Sequence, residues 1–189
     1  MIRVTKQHPG QAMSRIPYID SADTQELSDL ATRISAGRRG QLINVYRLLL
    51  HSPPLAATWF EHLNAVRWKT ELPGRLRELL IIRIALLNRV DYVIAQHVPK
   101  LALADGVSIA ECEALGDWSK SGFFSPKERA ALTYADAMTR DLAVPDDVFA
   151  AVRKHFDERQ IVELSVLIGT YNMHNRVMLA LQIDLESSR

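Results

Sequence analysis

Apolar residues recur along this chain at intervals of three and four, and nowhere in sustained alternation with polar ones. That spacing lines one face of a helix rather than one face of a strand. Leu27, Leu30 and Ile34 form such a face, with Ser21 or Asp23 placed to cap it. Residues 42–50 form a second helix, ended by Ser52-Pro53-Pro54. Residues 55–68 form a third, with Trp59, Leu63 and Val66 on its apolar side, and Leu72-Pro73-Gly74 breaks the chain after it. The next helix, 74–87, is apolar on most sides after Glu78, which predicts burial all round.

A helix over 91–104 follows, stopped by Asp105-Gly106. Ser108 with Glu111, and Ser125 with Glu128, have the spacing of reciprocal helix caps. Val144-Pro145-Asp146 opens one more helix, and Asp157 with Gln160 opens a long one reaching about residue 183. Loops are short and no linker composition appears. The expectation is one all-α domain over 21–189, preceded by an N-terminal extension, 1–20, of which 1–12 is poorly ordered and Met13 reads like a natural start. A weak internal repeat at a shift of 85 residues lays Glu163-Leu164 on Glu78-Leu79. On that register Asn175, Met178 and Gln182 stand where Val90, Val93 and His97 stand in the first copy.

Composition narrows the function. At 189 residues, 48% hydrophobic and 24% charged, the chain is long enough for a substantial core and ordinary for a soluble protein. A net charge of +1 provides no field to recruit nucleic acid or an anionic membrane. The one basic cluster, Arg33, Arg38 and Arg39, reads as a solvated helix end. The apolar runs are interrupted by Arg83 and Arg89, short of a bilayer span. With one cysteine, Cys112, no disulfide forms within the chain, which suits a cytoplasmic protein. No glycine-rich phosphate loop and no metal-ligand spacing of His, Cys, Asp or Glu is present, so neither cofactor nor metal is expected.

The candidate chemistry lies in Glu78 and His97. Two readings of Glu78 stand side by side: a charge near a helix start, or a partly buried acid whose pKa burial would raise into a useful range. His97 lies on a stripe with Val90, Val93, Ile94 and Leu101. It is either a satisfied core histidine or, since only a few residues join its helix to that of Glu78, the other half of a shared pocket. Tyr92 is placed to add a phenol hydrogen bond, and Asp91 to cap the helix. His174-Asn175-Arg176 is polar within an apolar helix, a second polar site or a subunit contact.

The string Arg77-Glu78-Leu79 … Asp91-Tyr92 … His97, followed by Ala104-Asp105-Gly106-Val107-Ser108, resembles the carboxymuconolactone decarboxylase and alkyl hydroperoxidase D-like (AhpD-like) superfamily. The resemblance implies an all-helical AhpD-like bundle and homo-oligomers, commonly trimers or hexamers, with pockets at subunit contacts. In the peroxidase branch a Cys-x-x-Cys pair precedes the histidine; here those positions hold Val90 and Val93. The resemblance then implies a cofactor-free acid/base enzyme of the decarboxylase type, acting on a small carboxylated lactone or related acid. His97 would serve as general acid, Glu78 would orient it, and Arg83 and Arg176 would hold the substrate anion if the fold turns them inward. Residues 21–68 exceed the smallest members of the family, and are expected to form a lid or an oligomer contact. Two alternatives accompany this reading: a non-catalytic oligomeric binding protein of the same fold, and a peroxidase using Cys112 between subunits.

Overall fold

The computed structural model describes residues 14–20, 24–38 and 40–186, and among them it is built of helices and connecting turns. The helices are α1 (Gln25–Ala36), α2 (Asn44–Leu49), α3 (Pro53–Trp68), α4 (Gly74–Asn88), α5 (Asp91–Gln96), α6 (Ile109–Ala114), α7 (Pro126–Arg140), α8 (Asp146–Arg153) and α9 (Glu158–Leu181). The all-α, AhpD-like bundle expected from the sequence is what the chain forms. None of these helices is long and apolar enough to cross a membrane.

α4 is the axis. Leu79, Leu80, Ile81, Ile82, Ile84 and Ala85 are completely buried, because α7, α9 and α5 pack around it. Each large aliphatic side chain contributes about 2 kcal/mol of hydrophobic stabilisation. Its start is set by a close approach: a side chain at Gly74 would collide with the Asp105 carboxylate, which accepts a hydrogen bond from Arg77 Nη2 at 2.8 Å. Its end is set by Arg89, which adopts the left-handed conformation (φ 58°, ψ 50°) usual for glycine at such a stop. That turn sends α5 back along α4.

The caps form as the spacing required. Ser108 with Glu111 and Ser125 with Glu128 make reciprocal capping boxes, and Asp157 accepts from Gln160 N at 2.8 Å. α1 is capped by Thr24; Ser21 and Asp23 lie outside the described residues, as do residues 1–12, Met13 and Arg39. α5 starts after Val90, so Asp91 sits in its first turn rather than at its cap. The helix expected over 91–104 is not continuous in type. After Gln96 it widens into a π-helical turn, His97–Ala102. Pro99 lies in that turn and brings no N–H to it. The repeat also diverges here, since α9 runs unbroken through Asn175 where the first segment stops at Arg89.

Residues 14–20 run along the C-terminal strap. Arg15 N donates to Leu181 O at 2.9 Å, and Tyr18 hydroxyl to Asp184 Oδ2 at 3.0 Å. Glu186 in turn accepts from Asn44 N at 2.8 Å and from the Tyr92 hydroxyl at 2.6 Å.

Candidate functional site

Glu78 is wholly buried on the second turn of α4, and His97 is buried where the π turn begins. The left-handed turn at Arg89 and the fold-back of α5 bring them together. His97 Nδ1 lies 2.6 Å from Glu78 Oε2. The other carboxylate oxygen, Oε1, faces cations: Arg67 Nη2 at 3.6 Å and Arg77 Nε at 3.9 Å. Both guanidinium groups lie over the Trp68 ring, at 4.8 and 5.0 Å from its centroid.

The charge states follow from these neighbours. Burial pushes the Glu78 pKa up, but the imidazole charge and hydrogen bond of His97, with Arg67 and Arg77 behind, more than offset it, and the carboxyl titrates below its ordinary range. The rise expected from burial alone is therefore reversed, because the sequence did not show that cations gather round the carboxylate. Burial likewise lowers His97; Glu78 opposes this, and the two arginines reinforce it. The resting pair is thus a carboxylate and a neutral imidazole. Nδ1–H donates to Glu78, which leaves Nε2 as the nitrogen free for chemistry.

His97 opens on a cavity of about 210 Å³ between α3, α5 and α9. Its walls include Val93, Gln96 and Lys100 beside His97, Leu63, Arg67 and Trp68 of α3, and Tyr171 and His174 of α9. The N-terminal segment, expected as a lid or a contact, supplies a wall: Gly37, Arg38, Gln41, Ile43, Val45 and Tyr46 line the same space. His97 meets Tyr171 edge-on at 5.9 Å, Tyr171 lies 5.8 Å from His174, and Trp59 Nε1 donates to His174 Nδ1 at 3.3 Å. Burial holds the Tyr171 phenol up at about 12 and His174 down at about 3, so both are neutral.

Not every expected residue is here. Tyr92 lines the cavity, but its hydroxyl is given to Glu186 rather than to the Glu78–His97 pair. Arg83 turns the other way. Its Nε and Nη2 donate to Asp136 at 2.7 and 2.6 Å, and Nη1 to the carbonyl of Leu115 at 2.8 Å. Arg176 is exposed on the outer face of α9 and lines none of the cavities found. The arginines that line this cavity are instead Arg38 and Arg67. One signal for Arg67 was available: it lies four residues after Leu63 and next to Val66, a charge on the predicted apolar stripe of α3. His174, read as a second polar site or a subunit contact, belongs to this same cavity.

Sulfur is absent from the site. Val90 and Val93 occupy the helix turn before His97, and Cys112 is buried in α6, its thiol pushed up to about 11 by burial and then by nearby carboxylates. No group of three or more His, Cys, Asp or Glu residues among the described residues is placed to hold a metal ion.

Comparison with known proteins agrees with this fold. The model of the carboxymuconolactone decarboxylase family matches residues 53–137, a span that contains both Glu78 and His97. The uncharacterized protein YdfG of Bacillus subtilis (strain 168) is 33% identical over 111 residues, 56% of this chain and 72% of YdfG. A crystal structure of a protein of unknown function from Agrobacterium tumefaciens, suggested there to be an antioxidant defence protein AhpD, is 27% identical. It superposes with a TM-score of 0.70 over 75% of this chain and 97% of its own. An AhpD-core, peroxidase-related protein from Ralstonia eutropha JMP134 shares the fold at 20% identity. Its TM-score is 0.78, over 96% of this chain and 95% of its own.

Proposed function

The chain belongs to the carboxymuconolactone decarboxylase family, and from that premise we propose that it is a cofactor-free acid/base enzyme of the decarboxylase type, acting on a small carboxylated lactone or related acid. The observation that carries this is the 2.6 Å contact of His97 Nδ1 with Glu78 Oε2 at the wall of a cavity.

The chemistry asks little. When the carbon–carboxylate bond breaks, its electron pair passes into the conjugated carbonyl system and carbon dioxide leaves. The resulting enolate needs a proton at carbon. His97, protonated from solvent at Nε2, delivers that proton. Glu78 holds the ring by Nδ1–H and stabilises the imidazolium form that must exist just before transfer. Such a relay contributes about 10²–10⁴-fold in rate. Dithiol peroxide reduction needs two thiols near enough to bridge, and this chain has one cysteine, buried in α6. We further propose a homo-oligomer, trimer or hexamer, as the working form.

The test follows 4-carboxymuconolactone by ultraviolet absorbance with wild type and His97→Gln in parallel. Turnover by wild type that is lost in the variant is expected. An unaltered rate in His97→Gln removes the relay. No turnover by wild type, with this and related carboxylated lactones, moves the site to a binding role.

A further inference from the structure

We propose that Arg67 anchors the carboxylate of the substrate, holding a small planar acid against His97 in the cavity between α3, α5 and α9. This rests on the acid/base reading of the site and deepens it, by naming the charge and shape of the ligand and the residue that receives it.

Three observations point to Arg67. First, the cavity wall contains Arg38, Arg67 and Lys100 and no aspartate or glutamate. Of the carboxylates nearby, Glu78 is wholly buried behind it, with Oε2 committed to His97, and Glu186 is held by Tyr92 and Asn44. The cavity therefore favours an anion.

Second, the two guanidinium groups are not equally free. Arg38 already donates from Nη1 to Asn64 Oδ1 at 3.0 Å and from Nη2 to the Tyr46 hydroxyl at 2.9 Å. Arg67 is 91% buried, and its Nε and Nη2 have no hydrogen-bond partner among the described residues. Glu78 Oε1, at 3.6 Å, attracts it without satisfying it. Nε and Nη2 lie sealed beneath the cavity wall, so an incoming carboxylate meets the remaining, exposed part of the Arg67 side chain; a buried cation so poorly satisfied is costly, and the carboxylate supplies the charge-assisted acceptor it lacks. The Trp68 ring beneath it restrains its plane.

Third, flat rings stand among the aliphatic residues of the remaining walls. Tyr46, Tyr171 and His174 frame the space beside His97, which suits a conjugated ring acid better than a flexible chain. Lys100 is exposed at the rim, placed to draw anions in.

Anion binding at Arg67 carries a consequence that a purely structural arginine would not have. The groups facing His97 are Glu78 and Arg77 from α4, Arg67 from α3, and Tyr171 and His174 from α9, with Tyr92 and Lys100 on its own segment. Tyr171 and His174 stay neutral, and Arg67 and Arg77 disfavour the imidazolium. A carboxylate on Arg67 offsets that cation, so His97 takes up a proton as the acid binds. The substrate's charge then loads the general acid used in the proton-transfer step.

The probe is 2-furoate, with the neutral 2-furamide as control, titrated calorimetrically near neutral pH in two buffers of different ionisation enthalpy. Wild type should bind furoate saturably in the millimolar range with net proton uptake, and furamide far more weakly. Arg67→Gln should weaken furoate by about tenfold or more and abolish the uptake, as loss of a charged hydrogen-bond donor implies. Arg67→Lys should retain part of the affinity. His97→Gln should still bind furoate without proton uptake, so failure of the catalytic relay and failure of the anchor are separable. In wild type alone, the Arg67 Nε–H resonance should shift on adding furoate, which does not depend on a variant folding. Equal binding of furoate and furamide, no saturable furoate binding, an unmoved Arg67 resonance, or unchanged affinity in a folded Arg67→Gln protein would each overturn the proposal.

Discussion

Glu78 and His97 divide a single carboxylate between two tasks: Oε2 fixes the imidazole at 2.6 Å, while Oε1 faces Arg67 at 3.6 Å. On the proposed acid/base reading the acid orients and the histidine carries the proton. Glu78→Gln should lower turnover strongly and move the alkaline limb of the kcat/KM profile, on which His97 loses its proton, to lower pH, because Glu78 is what favours protonated His97. It should also destabilise the fold by about 3–5 kcal/mol, since Arg67 and Arg77 lose their buried counter-charge. Urea unfolding and a pH–rate profile read the two effects separately. A profile unmoved by the substitution would take Glu78 out of the relay.

Stability should fall on the acid side. His174 is held down at about 3 by burial, so between the ordinary imidazole value of about 6.5 and that point the unfolded chain binds a proton that the folded chain does not. Its stabilisation is full above about 6.5 and is lost progressively as pH drops through that window. His97, also lowered, acts in the same direction. Glu78, lowered as well, extends the loss below the ordinary carboxylate range. His174→Asn keeps an acceptor near the Trp59 Nε1–H and cannot titrate, so it should flatten the decline between pH 6.5 and 4. Thermal unfolding at a series of pH values measures this; an unchanged slope would place the acid sensitivity elsewhere.

Arg83 should prove structural. Arg83→Met strands Asp136 and the Leu115 carbonyl, and a loss of about 3 kcal/mol or more is expected from breaking such a pair. In conditions where the variant stays folded, KM should not change. Arg176→Ala should alter stability by less than about 0.5 kcal/mol and leave turnover intact. A raised KM in either variant would restore a direct role in binding.

Tyr92→Phe removes the 2.6 Å hydrogen bond to Glu186 and should cost about 1 kcal/mol, loosening the C-terminal strap. Turnover should stay within about tenfold of wild type, because the phenol is not part of the proton relay. A loss on the scale of His97→Gln would make Tyr92 catalytic.

Cys112 should be silent. With its thiol pushed up to about 11 by burial, it carries almost no thiolate at neutral pH. It should react with a disulfide reagent slowly in the folded protein and at once in denaturant, and Cys112→Ser should leave turnover unchanged. Fast reaction in the native state, with peroxide consumed in proportion, would revive the intersubunit peroxidase reading.

The sequence alone determined the helices and several of their ends, because caps, prolines and three-to-four spacing act over a few residues. Ser108 with Glu111 and Asp157 with Gln160 were legible for that reason, as was the buried α4. It also made the helices of Glu78 and His97 neighbours, since so short a connection leaves them no choice but to pack together, and left open whether the two side chains share a pocket. Tertiary structure decided what surrounds them. Arg67 reaches Glu78 from a helix earlier in the chain, and with Arg77 it adds to His97 in reversing the pKa shift that burial of Glu78 alone would cause. Arg83 and Arg67 are both arginines on apolar helices, and only the position of Asp136 on α7 fixes which of them turns away from the cavity. Long-range electrostatics of this kind depend on distances across the fold, and local pattern carries no record of them.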